Sequence, residues 1–72
     1  MRDTYYKVRY DSTKNTTIVA IVHNGFRVMS LEFYGQLSAA AIKQYALEAA
    51  EILNEKGVLK GEINGLYERK EI

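Results

Sequence analysis

The chain has no cysteine, no proline and no tryptophan, and a single histidine, His23. Without cysteine there is no disulfide staple, no Cys-ligated zinc site and no redox dithiol. One imidazole with no carboxylate near it in sequence supports neither a catalytic triad nor a metal centre, so no cofactor is expected. The absence of proline and of low-complexity sequence argues against linkers and disordered tails, and no internal repeat of useful length is visible. An excess of charge is missing too. Ten Lys and Arg face nine Asp and Glu, a formal +1 whose total announces neither nucleic acid nor membrane. The longest apolar run, from Ile18 to Val22, is far too short to span a bilayer. The opening Met-Arg-Asp-Thr leads into strand-like sequence with no apolar signal region, so a cytoplasmic protein with no membrane partner is expected.

What is present fits a single small α+β domain over residues 1–72. At this length one core barely offsets the entropy of ordering the chain, so idealised packing or oligomerisation is the expected support. Residues 16–33 organise the rest. Two apolar runs flank His23-Asn24-Gly25-Phe26, and Asn-Gly is the strongest short-range signal for a two-residue type I′ hairpin turn, which needs positive φ at both central positions. A regular ladder from that turn pairs Ile21 with Val28, Ala20 with Met29 and Val19 with Ser30. It puts Ile18, Ala20, Val22, Met29, Leu31 and Phe33 on one face, expected to be the core. Thr17, Val19, Ile21, His23, Phe26, Val28, Ser30 and Glu32 fall on the other, with an aliphatic centre. The unbroken run in the middle strand argues that it is covered on both sides.

The expected fold is a three-stranded antiparallel β-meander followed by one long α-helix packed on one face, with a short C-terminal strand or helical turn. The strands span about 4–10, 16–24 and 26–34. Asp11-Ser12-Thr13-Lys14-Asn15 predicts a loop longer than two residues between the first two. Ser38 is a good N-cap for a helix over about 39–56, with Gly57 as its C′ residue and Lys56 at the negative end of its dipole. Ile42, Tyr45, Ala46, Ala49, Ile52 and Leu53 form its apolar stripe. Ala39, Ala40, Ala41 and Ala50 supply a small-residue surface permitting close approach. In the tail, residues 58–72, Asn64-Gly65 suggests another turn, and one use of this segment would be to cover an edge or the second face of the sheet.

On function, the regular ladder gives the open face an interleaved set of Tyr5, Lys7, Arg9, His23, Phe26 and Val28 around Val19 and Ile21. Leaving four apolar side chains wet would forgo about 1.5–3 kcal/mol each, and a second protein surface recovers that where phosphate contacts do not. The expectation is therefore a non-enzymatic protein-binding or self-associating module, a homodimer or larger. Tyr5, Val19, Ile21, Phe26 and Val28 would be its anchors, with Lys7, Arg9 and Thr17 at its rim. Small proteins lacking a catalytic constellation are common among virus and mobile-element accessory factors that inhibit a host protein. The alternative is a nucleic-acid-binding sheet, with Lys7, Arg9, Lys14 and Arg27 on phosphates while Tyr5 and Phe26 stack. The meander-plus-helix layout resembles that of integrase arm-binding domains, which lay a sheet in the DNA major groove. Those sheets present many Arg, Lys and Trp side chains, whereas this one is expected to be aliphatic at its centre. A third reading assembles Tyr5, Lys7, Arg9, His23 and Arg27 around a phosphate, as in a small ribonuclease.

Overall fold

The computed structural model describes residues 4–59 and 66–69. Strands β1 (Thr4–Asp11), β2 (Thr16–His23) and β3 (Phe26–Tyr34) precede helix α1 (Ala39–Glu55), and a two-residue strand β4 (Tyr67–Glu68) follows. The sheet order is β3-β2-β1-β4, with β4 parallel to β1 and the other pairs antiparallel. The fold is the expected α+β meander with one helix, and the C-terminal element is a strand. Residues 60–65, including the expected turn at Asn64-Gly65, and residues 70–72 lie outside the described residues.

Local chemistry sets the turns where the sequence signals them. Asn24 and Gly25 take φ of 52° and 86°, the pair of positive values a type I′ turn demands. The β1–β2 loop has no glycine and is built instead on Asp11. Its Oδ1 accepts the backbone N–H groups of Thr13 at 3.0 Å and Lys14 at 3.4 Å, and Asn15 supplies the positive φ. The Ser38 hydroxyl accepts the Ala41 N–H at 3.1 Å, capping α1. At the other end the Val58 N–H bonds to Leu53 O (2.9 Å) and the Gly57 N–H to Asn54 O (3.0 Å). With Gly57 at φ 82°, this is a Schellman stop, and the chain leaving it delivers Leu59 fully buried into the core.

The β2–β3 register departs from the regular ladder in one place. His23 pairs with Phe26 and Val22 with Arg27, as the turn dictates, but Ile21 pairs with Met29, Val19 with Leu31 and Thr17 with Phe33. Val28 is the extra residue of a β-bulge. One inserted residue shifts everything beyond it by one position, so the side chains that share a face change wholesale. The helix-covered face carries Tyr6, Val8, Val19, Ile21, Met29, Leu31 and Phe33, with Val28 tucked beside them. The assignment of Ile18, Ala20 and Val22 to the core face, and of Val19, Ile21 and Val28 to an open one, is therefore reversed.

Against this face α1 buries Ile42, Ala46, Ala49, Ala50 and Leu53. Ala46 and Ala50 are wholly covered, whereas of the expected small-residue surface Ala39 and Ala40 are exposed and Ala41 half-buried, so close approach is made by Ala46, Ala49 and Ala50. Ile52 lies outside the buried stripe, and Tyr45 sits at its margin with its ring stacked on Phe33, centroids 4.7 Å apart. Thr17 and Thr4 are the buried polar residues of this layer among those described. The Thr17 hydroxyl donates to Gly35 O at 2.6 Å and that of Thr4 lies 2.7 Å from His23 Nδ1, which offsets the cost of their desolvation.

Candidate functional site

The face of the sheet that α1 leaves uncovered is assembled by strand alternation alone. The registers align Tyr67, Tyr5, Val22 and Arg27 in one row across the four strands. Lys7, Ala20 and Ser30 form the next, then Arg9, Ile18 and Glu32, then Asp11, Thr16 and Tyr34. Ala20 and Val22 are nonetheless buried, at 5% and 6% exposure. Lys7, Arg9 and Arg27 line one depression with Ala20, where long side chains can lie along apolar surface while their charged ends reach water. The central strand is thus buried on both of its faces, with the helix against one of them.

Lys7, Arg9 and Arg27 line a shallow depression of about 120 Å³, together with Val8, Ile18 and Ala20. The guanidinium groups of Arg9 and Arg27 make no ion pair among the described residues. At the β4 side Tyr5 is 9% exposed. The Tyr67 ring lies 5.9 Å from it and the Arg69 guanidinium 4.9 Å above it, a cation–π contact held by the Arg69 N–H to Tyr6 O bond at 2.9 Å. Tyr34 stands 88% exposed at the opposite corner. The acidic counterpart lies elsewhere: Glu48, Glu51 and Glu55 are exposed on α1, on the other side of the molecule. Both sides carry both signs, Asp11 and Glu32 on the sheet face and Lys43 and Lys56 on the helix side, with the cations in excess on the sheet face.

Of the residues expected to form an interface, Tyr5, Lys7 and Arg9 do share the uncovered face. Val19 and Ile21 do not: both are fully buried under α1, where no partner reaches them while the helix is packed. Val28 packs against the same core, and Phe26, 74% exposed, sits at the hairpin end opposite His23. The physical reason is the bulge. Its signal was present in the sequence, because Val28-Met29 is an adjacent apolar pair in an otherwise alternating strand. Tyr67 and Arg69 carried no such signal, since a two-residue parallel strand more than fifty residues from its partner has no periodicity to read.

His23 is turned away from the cationic cluster. It pairs with Thr4 across β1–β2, which places it on the face opposite Tyr5, Lys7, Arg9 and Arg27, and its Nδ1 is 2.7 Å from the Thr4 hydroxyl. The five residues of the ribonuclease reading are thus divided between the two faces. Among the described residues no three of His, Cys, Asp and Glu cluster as a metal site, and no helix is long and apolar enough to cross a membrane. Burial raises the Tyr6 hydroxyl above its ordinary pKa near 10, with the Glu68 carboxylate beside it adding to the shift. No family model, curated protein or solved structure matches the chain.

Proposed function

We propose that this protein is a non-enzymatic binding module whose uncovered sheet face holds a single-stranded nucleic acid. The observation that carries the reading is the convergence of Lys7, Arg9 and Arg27 on an apolar floor of Ile18 and Ala20. A protein partner would need an aliphatic open face, and Val19, Ile21 and Val28 belong to the core instead. What lines the depression outside is cationic, with Tyr5, Tyr67 and Tyr34 beyond it and the carboxylates of Glu32 and Asp11 on β3 and at the end of β1. In this composition the cations and rings suit phosphates and unstacked bases. Glu48, Glu51 and Glu55 on α1, partly offset by Lys43 and Lys56, make that side the less favourable one for a polyanion.

Geometry favours a single strand over a duplex. Tyr67 and Tyr34 lie at opposite corners, six β1 positions apart, or about 20 Å along the strands. Between them lies the cationic depression, a layout that alternates stacking surfaces with phosphate partners over about four nucleotides, the low end for a small sheet platform.

The test is fluorescence anisotropy with labelled oligothymidine and oligouridine of about 12 nucleotides, a duplex of equal length, and the Arg9→Gln and Lys7→Gln variants. Binding of the single strands that weakens in both variants supports the reading. Binding to duplex alone overturns the single-strand assignment in favour of groove docking. Absence of binding to every oligonucleotide at low salt overturns the proposal and returns the face to a protein partner.

A further inference from the structure

We infer that the outer edge of β3 is a self-recognition surface, and that its occupant is β3 of a second copy, paired antiparallel about a two-fold axis at Ser30. Among the described residues β3 has β2 on one side and no strand on the other. Edge strands that stay monomeric are usually short, or defended by lysine, proline, inward-pointing charge or a bulge that twists the edge away; the bulge of β3 at Val28 lies near its turn end and leaves Met29–Tyr34 as a regular run. This one runs nine residues, Phe26–Tyr34, with neither lysine nor proline in it. Such an edge is a template for another strand. The question is which strand fits.

The edge is complementary to itself in one register. Because Ile21 pairs with Met29 and Val22 with Arg27, Val28 takes no position of its own in the ladder. With Ser30 on the axis, Ser30 therefore opposes Ser30 of the second copy, Met29 opposes Leu31, Arg27 opposes Glu32 and Phe26 opposes Phe33. Every pair shares a face, and each off-axis pair occurs twice. The two Arg27–Glu32 pairs lie on the uncovered face, while the Met–Leu and Phe–Phe pairs lie on the helix side. Of the two-fold registers that keep faces matched, this one alone sets Arg27 against Glu32. An axis at Glu32 would oppose two carboxylates, and an axis at Arg27 two guanidinium groups. The pairing also gives Phe26, 74% exposed at the hairpin end, an apolar neighbour. A two-fold axis perpendicular to the sheet keeps both uncovered faces on one side, so four strands per copy become one continuous eight-stranded platform.

The chain's lack of cysteine makes the register directly readable. Sedimentation equilibrium without nucleic acid should give the mass of two chains for the parent protein and of one chain for Arg27→Glu and for Glu32→Arg at the same concentration. The double charge swap should restore two. Ser30→Cys should form an intermolecular disulfide under mild oxidation, because opposed Cβ atoms stand about 4.5–5.5 Å apart across an antiparallel pair. Glu32→Cys, held about 13 Å from its counterpart by two positions on each strand, should crosslink far more slowly. A parent protein that stays monomeric up to millimolar concentration overturns the inference. So do single swaps that remain dimeric, a double swap that does not recover, or equal crosslinking at both cysteine positions. Since none of these measurements contains an oligonucleotide, and Arg9→Gln and Lys7→Gln lie off β3, failure of the dimer and failure of the nucleic-acid reading are separate results.

Discussion

The salt dependence of oligonucleotide binding is the sharpest check on the cationic depression. For single strands the slope of log K against log salt is about −0.7 per neutralised phosphate. Lys7, Arg9 and Arg27 surrounding one depression allow up to three such contacts. Three contacts correspond to a slope of about −2, which weakens binding by about 20-fold between 50 and 200 mM salt. Arg9→Gln keeps a long polar side chain over Ile18 but removes one charge, so the slope should fall to about −1.4 and the same salt change should cost only about 7-fold. The assay is an anisotropy titration of oligothymidine at four salt concentrations for the parent chain and the variant, with far-UV circular dichroism as the control for folding. A variant slope equal to the parent slope refutes the assignment of Arg9 to a phosphate, even if affinity drops. A parent slope near zero refutes phosphate recognition by this face.

Three further outcomes test the fold that presents the face. Ile21→Ala, in the fully buried centre of β2, should destabilise the protein by about 2–5 kcal/mol in urea unfolding; a loss under 1 kcal/mol would mean that Ile21 is not in the core. Gly57→Ala meets no atom within 4 Å but must hold φ near +82°, so it should cost about 1–2 kcal/mol from backbone strain alone. No loss there would contradict the Schellman stop. Tyr6 keeps its proton more tightly when folded than when unfolded, so its contribution is intact below pH 10 and is lost as the pH rises past that value through the higher folded one. Tyr6→Phe should therefore flatten the alkaline fall in melting temperature above pH 10, and an unchanged slope would show that Tyr6 does not drive it.

Whatever is encoded within a few residues was legible in the sequence. Asn24-Gly25 announces the hairpin, Asp11 and Asn15 the longer loop, and Ser38 and Gly57 the two ends of α1, because each feature depends on one residue's φ or one side chain's hydrogen bond. The apolar run of β2 likewise told that both of its faces are covered. Which face meets the helix was not legible from the turn, because face assignment counts residues from Gly25, and Val28 adds one to the count. Everything inferred about the outer surface inherits that parity. Val19 and Ile21 were therefore expected outside, and Ile18 and Ala20 beneath the cations were not. The register of β4 on β1 is a long-range pairing with no local determinant, so Tyr67 and Arg69 beside Tyr5 emerge only from the structure.

The bulge has a consequence for how this protein tolerates change in chain length. Strand β3 is one residue longer than the ladder it serves, since Arg27 and Met29 already occupy neighbouring rungs opposite Val22 and Ile21. Val28 is thus a spare: a chain lacking it should keep every β2–β3 partner and simply become regular, losing only the packing of one valine. An insertion between Met29 and Phe33 finds no such slack and must turn part of the strand inside out. Cross-strand nuclear Overhauser contacts between Val19 and Leu31, retained after deletion of Val28 and lost after an insertion at Ser30, would express that asymmetry. The strand is thus buffered against shortening and exposed to lengthening.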